Sequence, residues 1–229
     1  MIYALITIII ILILYGFLIF PRTVKKPSRE HLMKHFYAHR GLFDNSSDAP
    51  ENSLKAFKLA VENGYGIELD VQLSKDKVPV VFHDATLKRM CGVDGNVWDY
   101  TLEELKKFKL ADSNECIPTF AEALEVIGGK CPIIVEYKLD VVSNEVCRLG
   151  NELLKKYDGP YCMESFHPLA LLWYKKNRPD VVRGQLSMKF WNEKKYKGKF
   201  IYLLMTNLVT NVATRPDFIA YKHSDASNL

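Results

Sequence analysis

The chain has 229 residues, 48% of them hydrophobic and 25% charged. With an apolar N-terminus set aside, that is enough for one domain with a real core, near the lower limit for a barrel of alternating strands and helices. The formal charge of +4 is too small to point to nucleic acid, and it suits a protein that lies near anionic lipid or handles phosphate.

Residues 2–20 contain no charged side chain and are rich in Ile and Leu. As a helix they extend roughly 28 Å, enough to span a hydrocarbon core. No basic residue precedes the run and no small-x-small pattern follows it, which argues against a cleaved signal peptide. Pro21 ends it, and Arg22, Lys25, Lys26 and Arg29 follow. By the positive-inside tendency these put the rest of the chain in the cytoplasm of a single-pass membrane protein. Three regions are expected: a transmembrane anchor (1–21), a basic linker (22–34) and a barrel domain (35–229). Five cysteines, Cys91, Cys116, Cys131, Cys147 and Cys162, are scattered without a CxxC pair. That argues against a disulfide framework or a zinc site and favours buried thiols in a reducing compartment.

Beyond the linker, residues 36–40 read as a short strand and 52–63 as a helix with Leu54, Phe57, Leu59, Ala60 and Val61 on its apolar side. Gly64 ends that helix. Strict alternation predicts a strand over Gly66–Leu73, and residues 79–83 form another. Residues 84–100 read as loop, with turn signals at Gly92 and Asp94-Gly95. A capping box at Thr101-Leu102-Glu103-Glu104 opens a short helix, and 119–127 is a further helix ended by Gly128-Gly129. Then come a strand (132–138), a helix (142–157), a strand (160–166), a helix (167–177) closed by Pro179, and strands at 181–187 and 217–222. Strands separated by helices predict a parallel sheet, here of seven strands, one short of a closed eight-stranded barrel.

Within Gly66–Leu73, Glu68, Asp70 and Gln72 face away from Ile67, Leu69 and Val71, because side chains alternate along a strand. Glu136 and Lys138 are likewise opposed to Val135 and Tyr137. On a half-exposed sheet such residues simply face water. In a parallel barrel they point inward, near strand C-termini where active sites are built. Inward carboxylates are costly unless paired or bound to a cation, and three together suit Mg²⁺ or Ca²⁺. His39 and His83 stand at two strand ends beside this acidic cluster, as a candidate acid–base pair. Arg40 and Lys138 are candidates to hold phosphate oxygens, with a salt bridge to neighbouring carboxylates as the rival role. His31, His35, His167 and His223 lack this context.

In order, His39-Arg40-Gly41, Pro50-Glu51-Asn52-Ser53, Glu68-Leu69-Asp70-Val71, Phe82-His83-Asp84 and Val135-Glu136-Tyr137-Lys138 resemble the motifs of the glycerophosphodiester phosphodiesterase family, membrane-anchored bacterial-type members in particular. Glu164-Ser165-Phe166 is similar to a later strand of that family. The resemblance runs from His39 to the C-terminus and implies an α/β fold of TIM type. It also implies His39 and His83 as the acid–base pair and Glu68, Asp70 and Glu136 as ligands of a divalent metal. Glu51 matches a family acidic residue close to the site. The implied reaction is hydrolysis of a glycerophosphodiester to glycerol 3-phosphate and an alcohol. Direct attack by water and a cyclic phosphate both remain open, as does the assignment of acid and base. A lysophospholipase D acting on lysophospholipids, and a non-catalytic membrane-anchored binding protein, are the alternatives.

Two features stand outside those motifs. Phe190, Trp191 and Tyr196 are interleaved with Lys189, Lys194, Lys195, Lys197 and Lys199, and an apolar run (200–205) continues through Leu208, Val209 and Val212. Residues 189–213 are therefore expected either to contact membrane lipid or to form an outer barrel helix with a solvated lysine loop. The chain also stops at Leu229 without the family's Trp-Thr-x-Asn-like eighth strand. That raises the expectation of a fragment, a truncated product, or a barrel completed by a partner.

Overall fold

The structure, a computed structural model, describes residues 2–139, 143–193 and 196–226. In chain order its longer elements are α1 (Ile2–Ile19), β1 (Tyr37–His39), α2 (Leu54–Glu62), β2 (Gly66–Leu73), β3 (Pro79–Val81), α3 (Phe120–Ile127), β4 (Ile133–Tyr137), α4 (Glu145–Leu154), β5 (Tyr161–Ser165), α5 (Pro168–Asn177), β6 (Val182–Ser187), α6 (Phe200–Thr206) and β7 (Phe218–Tyr221). This βα order is that of a TIM-type barrel preceded by one long apolar helix, and no eighth strand occurs among the described residues. The expected start of the helix at 142, Lys194 and Lys195 of the lysine set, and the terminal Leu229 lie outside the described residues.

The chain divides into two compact units. In Ser28–Met163, β2 runs parallel to β1, with Ala38 opposite Ile67 and His39 opposite Glu68. It also runs parallel to β4, with Leu69 opposite Val135 and Asp70 opposite Glu136. Ile67, Leu69 and Val71 are fully buried on one side of β2. The helices α2 and α3 pack on each other; α3 begins within a residue of the expected 119, while α2 begins at Leu54, two residues inside the expected 52–63. The Ser53 hydroxyl accepts from the Ala56 amide, and Thr119 forms a capping box with Glu122. Such caps contribute about 1 kcal/mol each.

The third strand departs from the parallel expectation. β3 pairs antiparallel with β2, Val71 opposite Val81 and Leu73 opposite Pro79. Only residues 74–78 join them, whereas a parallel crossover needs a dozen or more. The Ser74 amide donates to the Val78 carbonyl, and Lys77 takes the left-handed conformation (φ 65°) that closes the turn. The reversal carries the chain back beside Asp70, whose carbonyl accepts from the Phe82 amide at 3.0 Å. His83 therefore returns towards the carboxylates. The segment that follows, expected as loop, holds two short helical turns and a core of its own, with Phe82, Leu87, Met90, Val97, Leu105 and Ile117 buried. Cys131, Cys147 and Cys162 are buried and all five thiols are free; burial pushes Cys91 and Cys131 up to about 11.

The second unit joins Met1–Pro27 to Glu164–Leu229. Here β6 and β7 are parallel, Gly184 opposite Phe218 and Ser187 opposite Tyr221. α5 packs on β6, and a short helix, Asn211–Thr214, packs on both α5 and α1. None of the 18 residues of α1 is buried.

Candidate active site

All of the site lies in Ser28–Met163. Alternation puts Glu68 and Asp70 on one face of β2, and the strand register sets Asp70 beside Glu136 and Glu68 beside His39. The three carboxylates are at most 6% exposed, and each offers an oxygen within 4.8 Å of the others. Like charges that close and that dry require cations nearby. Lys138, two residues beyond Glu136, places Nζ 2.7 Å from Glu136 Oε1 and 2.9 Å from Asp70 Oδ1. Burial works against both charged partners. For Lys138 the Asp70 and Glu136 charges outweigh it and raise the pKa. For Asp70 the Lys138 and His83 charges, with the hydrogen bonds of Asn52 and Lys138, hold the carboxyl below its usual range. The rival role foreseen for Lys138 is thus the one it fills in this structure.

Arg40 joins the cluster through backbone and side chain. Its amide donates to Glu68 Oε2 at 3.1 Å and its carbonyl accepts from the Asn52 amide at 2.9 Å. Both residues are left-handed, at φ 60° and 56°, conformations that cost a non-glycine of order 1 kcal/mol. The chain bends so sharply here because Gly41 follows. A Cβ at Gly41 meets Ala56 at 2.9 Å, and its φ of +82° is one that L side chains rarely adopt. The turn aims the Arg40 guanidinium at Glu51, 2.9 Å away, and brings Nε within 3.7 Å of Asp70. It also lets Asn52 Nδ2 donate to Asp70 Oδ2 at 2.9 Å.

His83 sits in a second arm of the network. Its Nδ1 is 2.6 Å from Asp84 Oδ1. Asp84 is held below the usual carboxylate range: burial opposes its charge, but the hydrogen bonds of Arg89 and His83 prevail. An ionised carboxylate only accepts, so neutral His83 carries its proton on Nδ1 and presents Nε2 as an acceptor. Arg89 donates from Nε to Asp84 Oδ2 at 2.6 Å and from Nη2 to Glu51 Oε1 at 2.6 Å. Glu51 therefore ties the Arg40 arm to the His83 arm. The imidazole of His39 is exposed, with Nε2 3.9 Å from Glu68 Oε2. Burial and Arg40 lower its pKa against the pull of Asp70; burial and Lys138 lower that of His83 against Asp70 and Asp84.

All eight residues singled out in the sequence, His39, Arg40, Glu51, Glu68, Asp70, His83, Glu136 and Lys138, belong to this one network. Sequence reasoning missed four more. Asn52 and Asp84 lie inside quoted motifs but had no assigned role. Gln72 Nε2 donates to the carbonyls of Phe82 and Asp84, at 2.7 and 2.9 Å, and so pins the His83 segment. Arg89, in an apparent loop, gave no signal. His167 is structural: its Nδ1 accepts from the Leu169 amide and caps α5.

The donor set fits a hard divalent cation. Glu68, Asp70 and Glu136 offer only carboxylate oxygens, the ligands that Mg²⁺ and Ca²⁺ prefer. Charge points the same way. Glu51, Glu68, Asp70, Asp84 and Glu136 face Arg40, Arg89 and Lys138, an excess of two negative charges with the histidines neutral. Beside Lys138 a cleft opens between Ser74, Lys75, Trp98, Ser143 and Glu145; of the site's residues Lys138 lines it, and the three carboxylates do not.

Residues 39–201 match the glycerophosphoryl diester phosphodiesterase family. The chain belongs to that family. A glycerophosphodiester phosphodiesterase of Caldanaerobacter subterraneus subsp. tengcongensis is 46% identical over 163 residues, 65% of each chain. One from Bacillus altitudinis is 33% identical over 171 residues, 68% of this chain and 67% of that relative. The chain thus spans about two thirds of the length of these curated family members. Among solved structures, an Oleispira antarctica phosphodiesterase in complex with its product sn-glycerol-3-phosphate is 26% identical, with a TM-score of 0.62, covering 83% of this chain and 93% of that one.

Proposed function

We propose that this protein hydrolyses glycerophosphodiesters to glycerol 3-phosphate and an alcohol, using a divalent metal and two histidines. The observation that carries this reading is the convergence of Glu68, Asp70 and Glu136 within 4.8 Å, beside a His83 whose Nδ1 is engaged by Asp84, in a chain of this family. The similar phosphodiesterase from Oleispira antarctica, in complex with the product sn-glycerol-3-phosphate, supports the substrate class.

Glu68, Asp70 and Glu136 are the residues that would hold the metal, Mg²⁺ or Ca²⁺. When bound, it supplies polarisation of the phosphoryl group and stabilisation of negative charge developing on it. His83 Nε2 takes the proton of the attacking oxygen as a new P–O bond forms: water gives glycerol 3-phosphate directly, whereas the neighbouring glycerol hydroxyl gives a cyclic phosphate whose ring P–O bond water must break in a second step. The P–O bond to the alcohol breaks, and His39 returns a proton to the departing oxygen. Asp84 fixes the His83 tautomer. Arg40 and Lys138 are positioned to trade a carboxylate partner for a phosphate oxygen. The protein is anchored by α1, 18 residues with a mean hydropathy of 2.9, and Arg22, Lys25, Lys26 and Arg29 support a cytoplasmic domain. That anchor favours a second reading, a lysophospholipid as substrate.

His39→Ala, His83→Ala and Glu68→Ala should each abolish metal-dependent release of glycerol 3-phosphate from glycerophosphocholine, with folding checked by circular dichroism. Near-normal turnover in any one of them overturns the role given to that residue. A panel of glycerophosphocholine and lysophosphatidylcholine, in Mg²⁺ and in Ca²⁺, separates the two substrate readings.

A further inference from the structure

The last carbonyls of a helix have no partner within it. At the end of α1 they are met by side chains from far along the chain. Arg215 Nη1 donates to the carbonyls of Phe17 and Phe20, at 2.7 and 3.0 Å, and its guanidinium lies 4.7 Å from the centre of the Phe17 ring. Asn211 Nδ2 approaches the Ile19 carbonyl at 3.5 Å. Further up the helix, the Tyr15 hydroxyl donates to the Asn207 carbonyl at 3.0 Å. A cation over the C-terminal end of a helix also complements its dipole.

These contacts limit how far α1 stands clear. Residues 15–20 lie against residues 207–215, so only residues 2–14 project freely, about 20 Å of helix. The hydrocarbon core of a bilayer is about 30 Å thick. A helix held in this way crosses it only if residues 15–20, and the protein surface beside them, sit at the depth of the membrane interface.

That surface has the composition such a depth requires. α6 ends at Thr206, directly before Asn207, and its seven residues rise only about 10 Å. Phe200, Ile201 and Leu203 are 71%, 47% and 46% exposed, and Trp191 and Val212 are each 41% exposed. Phe190 packs its ring 5.4 Å from Tyr202 and so sets Trp191 beside α6. Lys197 and Lys199 precede α6 at its N-terminal end, while Arg22 follows α1 and Arg215 caps it.

We propose that Trp191, Phe200, Ile201, Leu203 and Val212 are seated in the headgroup–acyl boundary of an anionic bilayer around the exit of α1. The protein is then held to the membrane by a span and by a second, interfacial patch, with Tyr15 and Trp191 in the aromatic belt. This rests on α1 being the membrane span proposed above.

The test uses the full chain with Trp98→Phe and Trp173→Phe, so that Trp191 alone reports, in vesicles of phosphatidylcholine and phosphatidylglycerol. Lipids brominated near the top of the acyl chain should quench Trp191 by about twofold, and vesicles should shield it from aqueous iodide. Adding Ile201→Glu and Leu203→Glu should return it to iodide while the protein still resists alkaline carbonate extraction. Resistance to carbonate with Trp191 open to iodide and untouched by brominated lipid overturns the patch and leaves the anchor standing. Extraction by carbonate overturns the anchor itself. Shielding that disappears on dilution of the protein into excess lipid overturns the lipid seat in favour of a second copy of the chain.

Discussion

Glu51 is the residue at which the two arms of the site meet, and neutralising it by Glu51→Gln is the sharpest test of the network. The carboxylate is 4% exposed. It accepts from Arg40 Nη1 at 2.9 Å, Arg89 Nη1 and Nη2 at 2.9 and 2.6 Å, and Asn45 Nδ2 at 3.1 Å. Burial works to raise its pKa, but the hydrogen bonds of Arg89 and Asn45 and the charge of Arg40 outweigh it and bring the carboxyl from 4.5 to about 2. A drop of that size corresponds to about 3 kcal/mol of stability at neutral pH. It agrees with the roughly 3–5 kcal/mol lost when one partner of a buried ion pair is removed. Because the folded pKa lies below the unfolded one, this stability is complete above about pH 4.5 and is lost as pH falls towards about 2. Thermal and urea unfolding of the full chain in mild detergent, at pH 7 and at low pH, reads it directly. Glu51→Gln should lower Tm at pH 7 by roughly 6–12 °C for a chain of this size, and the gap to the parent should close near pH 2. A variant within about 0.5 kcal/mol of the parent at pH 7, the spread of ordinary surface substitutions, refutes the ion-pair account. So does a gap that does not change with pH.

Asp84→Asn leaves the shape of the His83 contact but frees the imidazole to take the other tautomer. It should cut kcat by about 100-fold or more while moving KM little, and unchanged steady-state kinetics would dismiss the tautomer argument. Glu136→Gln removes one charge from the carboxylate trio and should weaken metal affinity by at least about tenfold, read by Mg²⁺ and Ca²⁺ titration of both activity and thermal stability. An unaltered metal requirement would remove Glu136 from the ligand set. Gly41→Ala forces a Cβ to within 2.9 Å of Ala56 at a φ of +82° and should cost about 2 kcal/mol or more. A melting temperature equal to the parent's would show that the bend at Arg40 is not needed.

Alternation along Gly66–Leu73 was enough to put Glu68 and Asp70 on one face, because the period of a strand is a local property of the backbone. The capping box at Thr101 and the apolar length of α1 were legible for the same reason: each depends on residues within one or two turns. The direction of β3 follows from the five-residue connection after Leu73, too short for a parallel crossover, whereas β-propensity marks strands without giving their sense. Other features needed the folded chain. Arg89 reaches Glu51 across 38 residues only because the hairpin carries His83 and Asp84 back beside Asp70. Arg215 meets the carbonyl of Phe17 across 198 residues. Lys138 showed in the sequence as a cation near carboxylates. Its commitment to Asp70 and Glu136 follows from the register that sets those two side by side and buries both, where a lone charge is too costly to leave unpaired. The chemistry available to the site was written in residue types and periods, while their pairing was decided by register and burial.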